Sequence, residues 1–298
     1  MSDICISNLN TTDYSEQVNY NFKEYPVYVR RGILSQYPNY SAVSHWHEDL
    51  EFIVILSGRM IYNVNGTLLE LTAGNGILVN SRQFHHGYSD DFTECEFVCI
   101  LLHPLLLCTN EYFERTYVTP VVTNEDQPYL LLYQNIPWQN QILNILRTIY
   151  EQMQTEHAIL KIQQSVFDLW TPLYLNFPKR QHKTARSGRQ LATVKNMVTF
   201  IQTHYRENLS LEMIADAGNV CRSSCCALFR KYLQQTPISY VTEYRLNKSI
   251  DLLFTTDLSV TEISYEVGFH NASYYSETFR KYYRCTPTEY ARKYGHRV

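Results

Sequence analysis

The sequence predicts an α+β protein: a small β-barrel or sandwich, then two amphipathic helices, then an all-helical domain. Three changes of pattern along the 298 residues support this prediction. Short β-rich runs separated by Gly and Asn fill residues 25–102, apolar residues recur at helical spacing over 140–177, and the pattern stays helical over 191–298. A division into a strand region and helix regions is typical of α+β chains.

The β region occupies residues 1–105. Its apolar runs are "EFIVIL", "RMIYNV", "TLLEL", "ILVN" and "CEFVCILL", with Ser57-Gly58 and then Asn65-Gly66 between the first three. Asn-Gly between two β-rich runs predicts a tight hairpin, because both central residues of its turn need a positive φ. Many short strands joined in this way indicate a barrel or a sandwich.

Two amphipathic helices are predicted in the segment 106–177. The stretch 158–177 forms one of them, with Pro172 near its end. The stretch 140–154 forms the other and carries four apolar residues on one face: Ile142, Ile145, Leu146 and Ile149. We expect both helices to pack on the β domain, and the apolar surface left over to form the face of a homodimer.

Charge divides the chain into two halves. Residues 1–177 hold 8 Lys and Arg against 19 Asp and Glu, a net charge of −11, whereas 178–298 hold 18 against 10, a net charge of +8. This asymmetry indicates that the C-terminal half meets a polyanion; a solvated basic surface without a partner is the alternative. The polar, basic stretch 178–190 predicts a linker whose charges add phosphate contacts.

The C-terminal domain, 191–298, contains an internal repeat. Residues 209–237 and 258–287 both open with Leu-Ser, and both carry Phe-Arg-Lys-Tyr, three further residues and Thr-Pro. Each copy predicts a short helix, a turn near a glycine and a second helix that begins at Arg222 or Ala272, which is a helix-turn-helix. Two such units can read two major-groove segments about one helical turn apart. A helical hairpin used only for protein contacts is the alternative.

This region resembles the two-motif DNA-binding domain of AraC/XylS-type bacterial transcription regulators. The segment "TPISYVTEYRLNKSIDLL" carries the residues that join the two motifs in that family: Pro237, Tyr240, Arg245 and Leu252-Leu253. The segment "ISYEVGFHNASYYSETFRKYYRCTPTEYAR" is similar to the family's signature over its whole length. The resemblance implies a sequence-specific DNA binder, most often an activator that meets RNA polymerase.

The second helix of each motif carries the expected DNA contacts. Cys221 replaces the usual Ser or Thr cap of the first one, Ala227 stands where Arg is common, and Glu277 occupies the equivalent position of the second. A base-by-base code therefore does not carry over. The expected base-edge contacts are Arg222, Ser223, Ser224, Asn271, Ala272, Tyr274 and Glu277, and the expected phosphate contacts are Arg230, Lys231, Arg280 and Lys281.

The stretch "HWHEDLEFIVILSG" predicts a polar site in the β domain. His45, His47 and Glu51 are all odd-numbered, so in a strand they share one face and point into the barrel together with Asp49. The pair His85-His86 follows a later strand and can complete the group. Two or three histidines with a carboxylate suit Fe, Mn, Ni or Zn.

The spacing His-x-His-x3-Glu-x6-Gly, ending at Gly58, resembles the first motif of the cupin barrels, and Gly74 and His85 fit part of the second. Cupin domains often precede the DNA-binding half of AraC-type regulators, so the resemblance implies a pocket for a small polar effector, without metal. A pocket with a divalent metal on His45, His47, Glu51 and His85 is one alternative, and structural histidines are another. The expected effector-binding residues are His45, Trp46, His47, Glu51, His85, Tyr28 and Tyr88. Aromatic faces beside His, Glu and Asn suit a sugar.

The combined prediction is a cytoplasmic, homodimeric regulator of transcription that binds double-stranded DNA and is not an enzyme. No apolar run of about 18 residues and no basic, apolar N-terminal signal is present. Eight scattered cysteines without a CxxC indicate reduced thiols, with a redox or metal cluster at Cys221, Cys225 and Cys226 as the alternative. The rival functions are a metal-dependent cupin oxygenase or isomerase fused to a DNA-binding domain, and a constitutive DNA binder whose barrel only dimerises.

Overall fold

The computed structural model describes residues 8–9, 16–179 and 186–294, with side chains from 18 to 179 and from 189 to 294. These residues divide into two compact units, one that ends at residue 179 and one that begins at residue 186. The first unit combines strands with two long helices, and the second is helical. The predicted α+β class is confirmed.

The main sheet of the first unit is antiparallel and has seven strands. They are β1 (Val27–Ile33), β2 (Leu50–Val64), β3 (Thr67–Thr72), β4 (Gly76–Val79), β5 (His85–Tyr88), β6 (Cys95–Leu102) and β7 (Tyr129–Leu132). The strand order is β1-β6-β2-β4-β7, and β3 and β5 pair with the second half of β2. A two-residue ladder joins Asn8–Leu9 to Glu16–Gln17.

The 15-residue strand β2 takes the place of the two short strands predicted around Ser57-Gly58. Its register against β6 shifts between Ile55 and Ser57, so the strand passes through a β-bulge at Leu56 and continues through Ser57-Gly58 without a turn. Gly58 has a φ of +75°, and a Cβ there would lie 2.0 Å from the carbonyl oxygen of Glu94. Asn65-Gly66, in contrast, is the predicted hairpin turn, with φ values of 50° and 87°.

Alternate residues of the central strands face two different cores. Phe52 and Val54 pack in a core shared with the helices, whereas Ile53 and Ile55 point into the interior of the β domain. The two long helices of this unit, α1 (Pro137–Gln152) and α2 (Ala158–Asn176), both lie in the shared core. The predicted packing of the helices on the β domain is therefore confirmed, and burial on both faces explains the unbroken apolar runs.

One strand lies where the sequence predicts only helices. β7 pairs with β4 from Tyr129, opposite Val79, to Leu132, opposite Gly76. The sheet thus extends beyond residue 105, into the segment in which the sequence analysis places two helices. Periodicity cannot assign four apolar residues in a row to a strand or to a buried helical turn.

Seven helices follow in the second unit. They are α3 (Arg186–His204), α4 (Leu211–Ala217), α5 (Arg222–Leu233), α6 (Pro237–Thr255), α7 (Val260–Glu266), α8 (Ala272–Tyr283) and α9 (Pro287–Tyr294). The predicted linker 178–190 falls partly outside the described residues, and α3 begins inside it at Arg186.

The helix pairs α4-α5 and α7-α8 are the two predicted helix-turn-helix motifs, and α6 joins them. Ile214 and Phe229 of the first motif are fully buried, as are Ile263 and Phe279 of the second, so each pair is held by the expected core. Among the described residues no helix is both long enough and apolar enough to cross a membrane.

Candidate functional site

The second helices of the two motifs, α5 and α8, expose equivalent faces. Leu228 and Phe229 of α5 are buried, as are Thr278 and Phe279 at the equivalent positions of α8. The residues expected to contact DNA are exposed or half-buried: Arg222, Ser223, Ser224, Arg230, Lys231, Asn271, Ala272, Tyr274, Glu277, Arg280 and Lys281. Each of them thus lies on the side of its helix that is not committed to the core.

The second helices of the two motifs, α5 and α8, here called the recognition helices, begin differently. The Oδ1 of Asn271 accepts a hydrogen bond from the backbone N–H of Tyr274 at 2.9 Å, so Asn271 caps α8, and its amide N–H groups are left to donate to a base. Cys221 makes no side-chain cap bond to α5. Its Sγ lies 3.1 and 3.2 Å from the hydroxyls of Ser223 and Ser224, and these contacts lower the pKa of Cys221 to about 7.

Arg222 is engaged within the first motif. Its Nη2 lies 2.7 Å from Oε2 of Glu212 on α4, and both side chains are exposed. An exposed ion pair of this kind is weak and is screened by salt. Contact with a DNA base therefore requires Arg222 to leave a weak partner, and Glu212 opposes the approach of phosphates to the same place.

A cleft of about 670 Å³ lies between α3 and α5. Arg189 and Lys231 contribute cations to its lining, Ala227 leaves space where a longer side chain would fill it, and Lys231 Nζ donates to Gln190 Oε1 at 2.8 Å. Arg189 comes from the stretch assigned to the linker, but it lies on α3. Two cations beside a helix that enters the major groove suit a phosphate strand that borders the groove.

Four polar side chains meet inside the β domain. His45 and His47 come from the loop before β2, Glu51 from β2 and His85 from β5, and one ligand-type atom of each lies within 4.8 Å of the others. His47, Glu51 and His85 are buried, and His45 is half-buried. Because β2 begins only at Leu50, the predicted strand geometry for His45 and His47 is wrong; a bridge between His45 and His85 holds the loop.

Backbone carbonyls fix the orientation of the three imidazoles. The Nδ1 atoms of His45, His47 and His85 lie 2.8, 3.2 and 2.8 Å from the carbonyl oxygens of Val43, Asp49 and Gln83, respectively. A carbonyl oxygen only accepts, so in these bonds each Nδ1 carries the proton. The Nε2 of each neutral ring is then an acceptor, and those of His85 and His47 lie 3.2 and 3.4 Å from Oε2 of Glu51.

Tyr62 completes the cluster and was not expected from the sequence. Its hydroxyl donates to Oε1 of Glu51, and its ring stacks on His85 at 6.3 Å between centroids. Tyr62 is even-numbered and Glu51 is odd-numbered, yet both side chains point inward. The register shift between Ile55 and Ser57 turns the later even-numbered residues of β2 to the inner face. Gly58 was the available signal for this shift.

The shifted pKa values of Glu51 and His85 favour an ionised carboxylate beside a neutral imidazole. Burial alone raises the pKa of Glu51, but His85 and His47 in their protonated forms, which carry positive charge and donate to the carboxylate, outweigh burial and hold that pKa well below its usual range. Burial lowers the pKa of His85, although Glu51 opposes this. A neutral imidazole then presents its lone pair to a carboxylate, an arrangement that a proton or a metal ion between them relieves.

The donor set fits a divalent transition metal. Three Nε2 atoms and one carboxylate oxygen are common ligands of such ions, and the Nδ1–carbonyl bonds are the usual support of metal-binding histidines. With bonds of about 2.1 Å, ligand atoms lie at most about 4.2 Å apart, so the group must contract by about 0.6 Å from its 4.8 Å span. His45, His47, Glu51 and His85 would hold the ion.

The other expected effector residues are divided between two faces. Tyr28 lies on the inner face, because it and Glu51 are both in register with Leu101 of β6. Tyr88 lies on the opposite face of β5 from His85, stacked on His86 at 5.7 Å, and thus is not brought to the cluster. Trp46 is buried.

His86 and Asp49 also lie outside the ring of Nε2 atoms. Burial lowers the pKa of His86 to about 4, and its Nδ1 has no hydrogen-bond partner. Asp49 stands behind His47, with Oδ2 3.9 Å from its Nδ1, and accepts from the Tyr20 hydroxyl at 3.0 Å. Neither residue therefore faces the centre of the cluster.

Comparison with known proteins matches both parts of the chain. A profile described as a helix-turn-helix domain matches residues 214–293, and one described as a cupin domain matches 33–101. The chain is 31% identical over 272 residues to YdeC of Bacillus subtilis, an uncharacterized HTH-type transcriptional regulator, and the alignment covers 90% of this chain and 92% of YdeC. It is 26% identical over 271 residues to the melibiose operon regulatory protein of Escherichia coli, with 89% of both chains covered.

One solved structure with similar coverage is ToxT from Vibrio cholerae. The alignment covers 89% of this chain and 96% of ToxT, at 15% identity and a TM-score of 0.45.

Proposed function

Because the chain belongs to the AraC/XylS-type family of helix-turn-helix transcription regulators, we propose that it reads two neighbouring segments of double-stranded DNA and that a small polar effector in the cupin-like domain changes this binding. One observation carries the proposal. Two motifs in one unit present the same exposed face, with Arg230-Lys231 on α5 and Arg280-Lys281 on α8 at equivalent positions. A helix exposed in this way fits the major groove, and its basic end faces phosphates.

Selection of duplexes from a random pool tests the DNA-binding part. We expect the full chain to enrich a site with two conserved segments about 10 base pairs apart. The affinity for this site should fall steeply with salt, and removal of Arg230 and Lys231 should reduce the salt slope by about 2. Enrichment of no sequence would contradict the proposal.

A sugar is the effector class that we propose to test first. Imidazoles, Glu51 and Tyr62 offer acceptors and donors to hydroxyl groups, and one relative is named for the melibiose operon. The full chain should change its affinity for the selected duplex when one member of a panel of mono- and disaccharides is added, and His47→Ala should abolish that change. No response across the panel would exclude this class.

The proposal includes a homodimer in the cytoplasm that activates transcription through RNA polymerase. Sedimentation of the full chain should give twice the monomer mass. Transcription in vitro from a promoter that contains the selected site should rise with the protein. A monomer would contradict the first expectation, and unchanged or reduced transcription the second.

A metal-dependent function is the second candidate, and the orientation of the three imidazoles favours it. A divalent ion bound there would act as a Lewis acid toward an oxygen of an effector or a substrate. Metal analysis of the purified full chain separates the candidates. A stoichiometric metal that is lost in His47→Ala supports this function, and absence of metal after addition of Zn²⁺, Mn²⁺, Fe²⁺ and Ni²⁺ excludes it.

A further inference from the structure

Arg245 of the connecting helix α6 is bonded to the end of a different element. Its Nε donates to the carbonyl oxygen of Tyr205 at 2.7 Å, and its Nη2 donates to that of Glu207 at 2.6 Å. Residues 205–207, here called the 205–207 segment, directly follow α3. The guanidinium satisfies two carbonyls just beyond the end of α3, and it is half-buried in doing so.

The 205–207 segment also packs against the second motif. Gly268, in the turn of that motif, has a φ of +88°, and a Cβ there would lie 2.5 Å from the Tyr205 carbonyl oxygen. Tyr205 packs on the core that contains Ile263 and Phe279. The guanidinium of Arg245 lies 5.9 Å from the ring centroid of Phe269, the next residue after Gly268.

The first motif rests on the body of the same helix. A Cβ at Gly218, in the turn of the first motif, would lie 2.6 Å from Cγ of Met197 on α3. Helix α3 therefore contacts the first motif along its length, and the 205–207 segment that continues it contacts the second. Arg245 ties this second contact to the helix that joins the motifs.

A connecting helix alone fixes the distance between two motifs better than their relative rotation. The 19 residues of α6 span about 28 Å, close to the spacing of about 34 Å between successive major-groove segments on one side of DNA. A one-base-pair change moves a segment by about 3.4 Å and turns it by roughly 35°. Discrimination between spacings therefore requires a second connection that resists rotation.

We propose that Arg245 and the 205–207 segment are that second connection, and that Arg245 is a positioning residue that sets the spacing at which the two DNA segments are read. This inference rests on the proposed DNA-binding function. Arg245 need not touch DNA, and its replacement should leave the reading of each separate segment intact.

Three versions of the selected duplex provide the test, with the two segments at the selected spacing, one base pair closer and one base pair further apart. A fourth duplex keeps the first segment and scrambles the second. The full wild-type chain should lose at least about tenfold in affinity when the spacing changes, roughly the worth of one base contact. Arg245→Met should reduce this penalty to less than about threefold and bind the single segment within about twofold of wild type.

Two further variants and a control complete the design. Arg245→Lys keeps a donor for one carbonyl and should give an intermediate penalty, whereas Gly268→Ala disturbs the same contact from the other side and should lower the penalty. Lys248→Met removes a cation one turn further along α6, which pairs with Asp251 at 3.5 Å, and should keep the wild-type penalty.

A wild-type spacing penalty in folded Arg245→Met overturns the inference. If Arg245→Met does not fold, as judged by circular dichroism, the same result in Arg245→Lys overturns it. Failure of the wild-type chain to select any duplex would instead refute the proposed function.

Discussion

Glu51→Gln is expected to stabilise the metal-free protein, although it removes a buried charge. Glu51 is 4% exposed, and its Oε2 faces the Nε2 atoms of His85 and His47. With Nδ1 protonated on both rings, these are acceptors facing an acceptor. The amide group of Gln supplies N–H donors at this position, while its oxygen still accepts from the Tyr62 hydroxyl.

The magnitude follows from the count of bonds. A buried acceptor without a donor costs about 1–3 kcal/mol, and each new hydrogen bond contributes about 0.5–1.5 kcal/mol. One or two amide bonds to Nε2 should therefore raise the free energy of unfolding by about 1–3 kcal/mol. For a domain of this size, each kcal/mol corresponds to about 2–4 °C in Tm.

Thermal unfolding of the full chain at pH 8 with a chelator is the assay, because His85, whose pKa burial lowers, is then neutral and the cluster is metal-free. Glu48→Gln is the matched control: Glu48 lies in the same loop and pairs with exposed Arg82 at 2.6 Å, so its Tm should change little. Saturating Zn²⁺ should stabilise the wild type more than Glu51→Gln if the cluster holds a metal, because the variant keeps three histidines but loses the carboxylate. A decrease of about 3–5 kcal/mol in the free energy of unfolding of Glu51→Gln with the chelator would refute the reasoning. A decrease of that size is the cost of breaking a buried ion pair, and it would mean that the Nε2 atoms facing Glu51 already carry protons.

Three further predictions concern single residues. Arg222→Ala should lower affinity for the selected duplex about 5- to 150-fold at fixed salt. Glu212→Gln should raise this affinity, because it frees Arg222 from its ion pair. An unchanged Kd in Arg222→Ala would mean that Arg222 does not read a base. Alkylation of Cys221 should accelerate as pH rises through its pKa of about 7, because the thiolate is the form that reacts. Cys225, whose pKa burial raises to about 11, should stay unreactive. Equal rates of Cys221 alkylation at pH 6 and pH 8 would contradict this prediction. Gly58→Ala should lower the unfolding temperature of the β domain, because alanine at this position combines a positive φ with a clash against the Glu94 carbonyl. An unchanged melting curve would mean that this position does not require glycine.

Elements with strong local signals were predictable from the sequence. Asn65-Gly66 demands a turn with two positive φ values, and the structure has them. The repeat fixed both recognition helices, because Arg222 and Ala272 begin the second helix of equivalent copies. These signals reside in a few adjacent residues, so tertiary packing does not override them.

Features that depend on a change of register were not predictable. The bulge between Ile55 and Ser57 reverses which parity of β2 faces inward, so Tyr62 reaches Glu51 although one is even-numbered and the other odd-numbered. The loop geometry of His45 likewise arises from its bridge to His85, a contact 40 positions away in sequence. No local pattern encodes such pairings.

Access to the histidine cluster depends on the loop that carries two of its members. Residues 41–45 follow the edge of β5 that β2 leaves free, with backbone bonds from Ala42 N–H to the Gly87 carbonyl and between His45 and His85 in both directions. His47, Glu51 and His85 are buried and His45 is half-buried, so among these four residues His45 is the one that an effector can reach without displacing this loop. Displacement breaks those bonds, so an effector of this kind binds a second arrangement of the loop, and such a difference in affinity is what allows a ligand to shift an equilibrium. A metal ion needs only a small contraction around the existing ligand atoms and would hold the loop in place. The loop therefore opens under the effector interpretation and tightens under the metal interpretation.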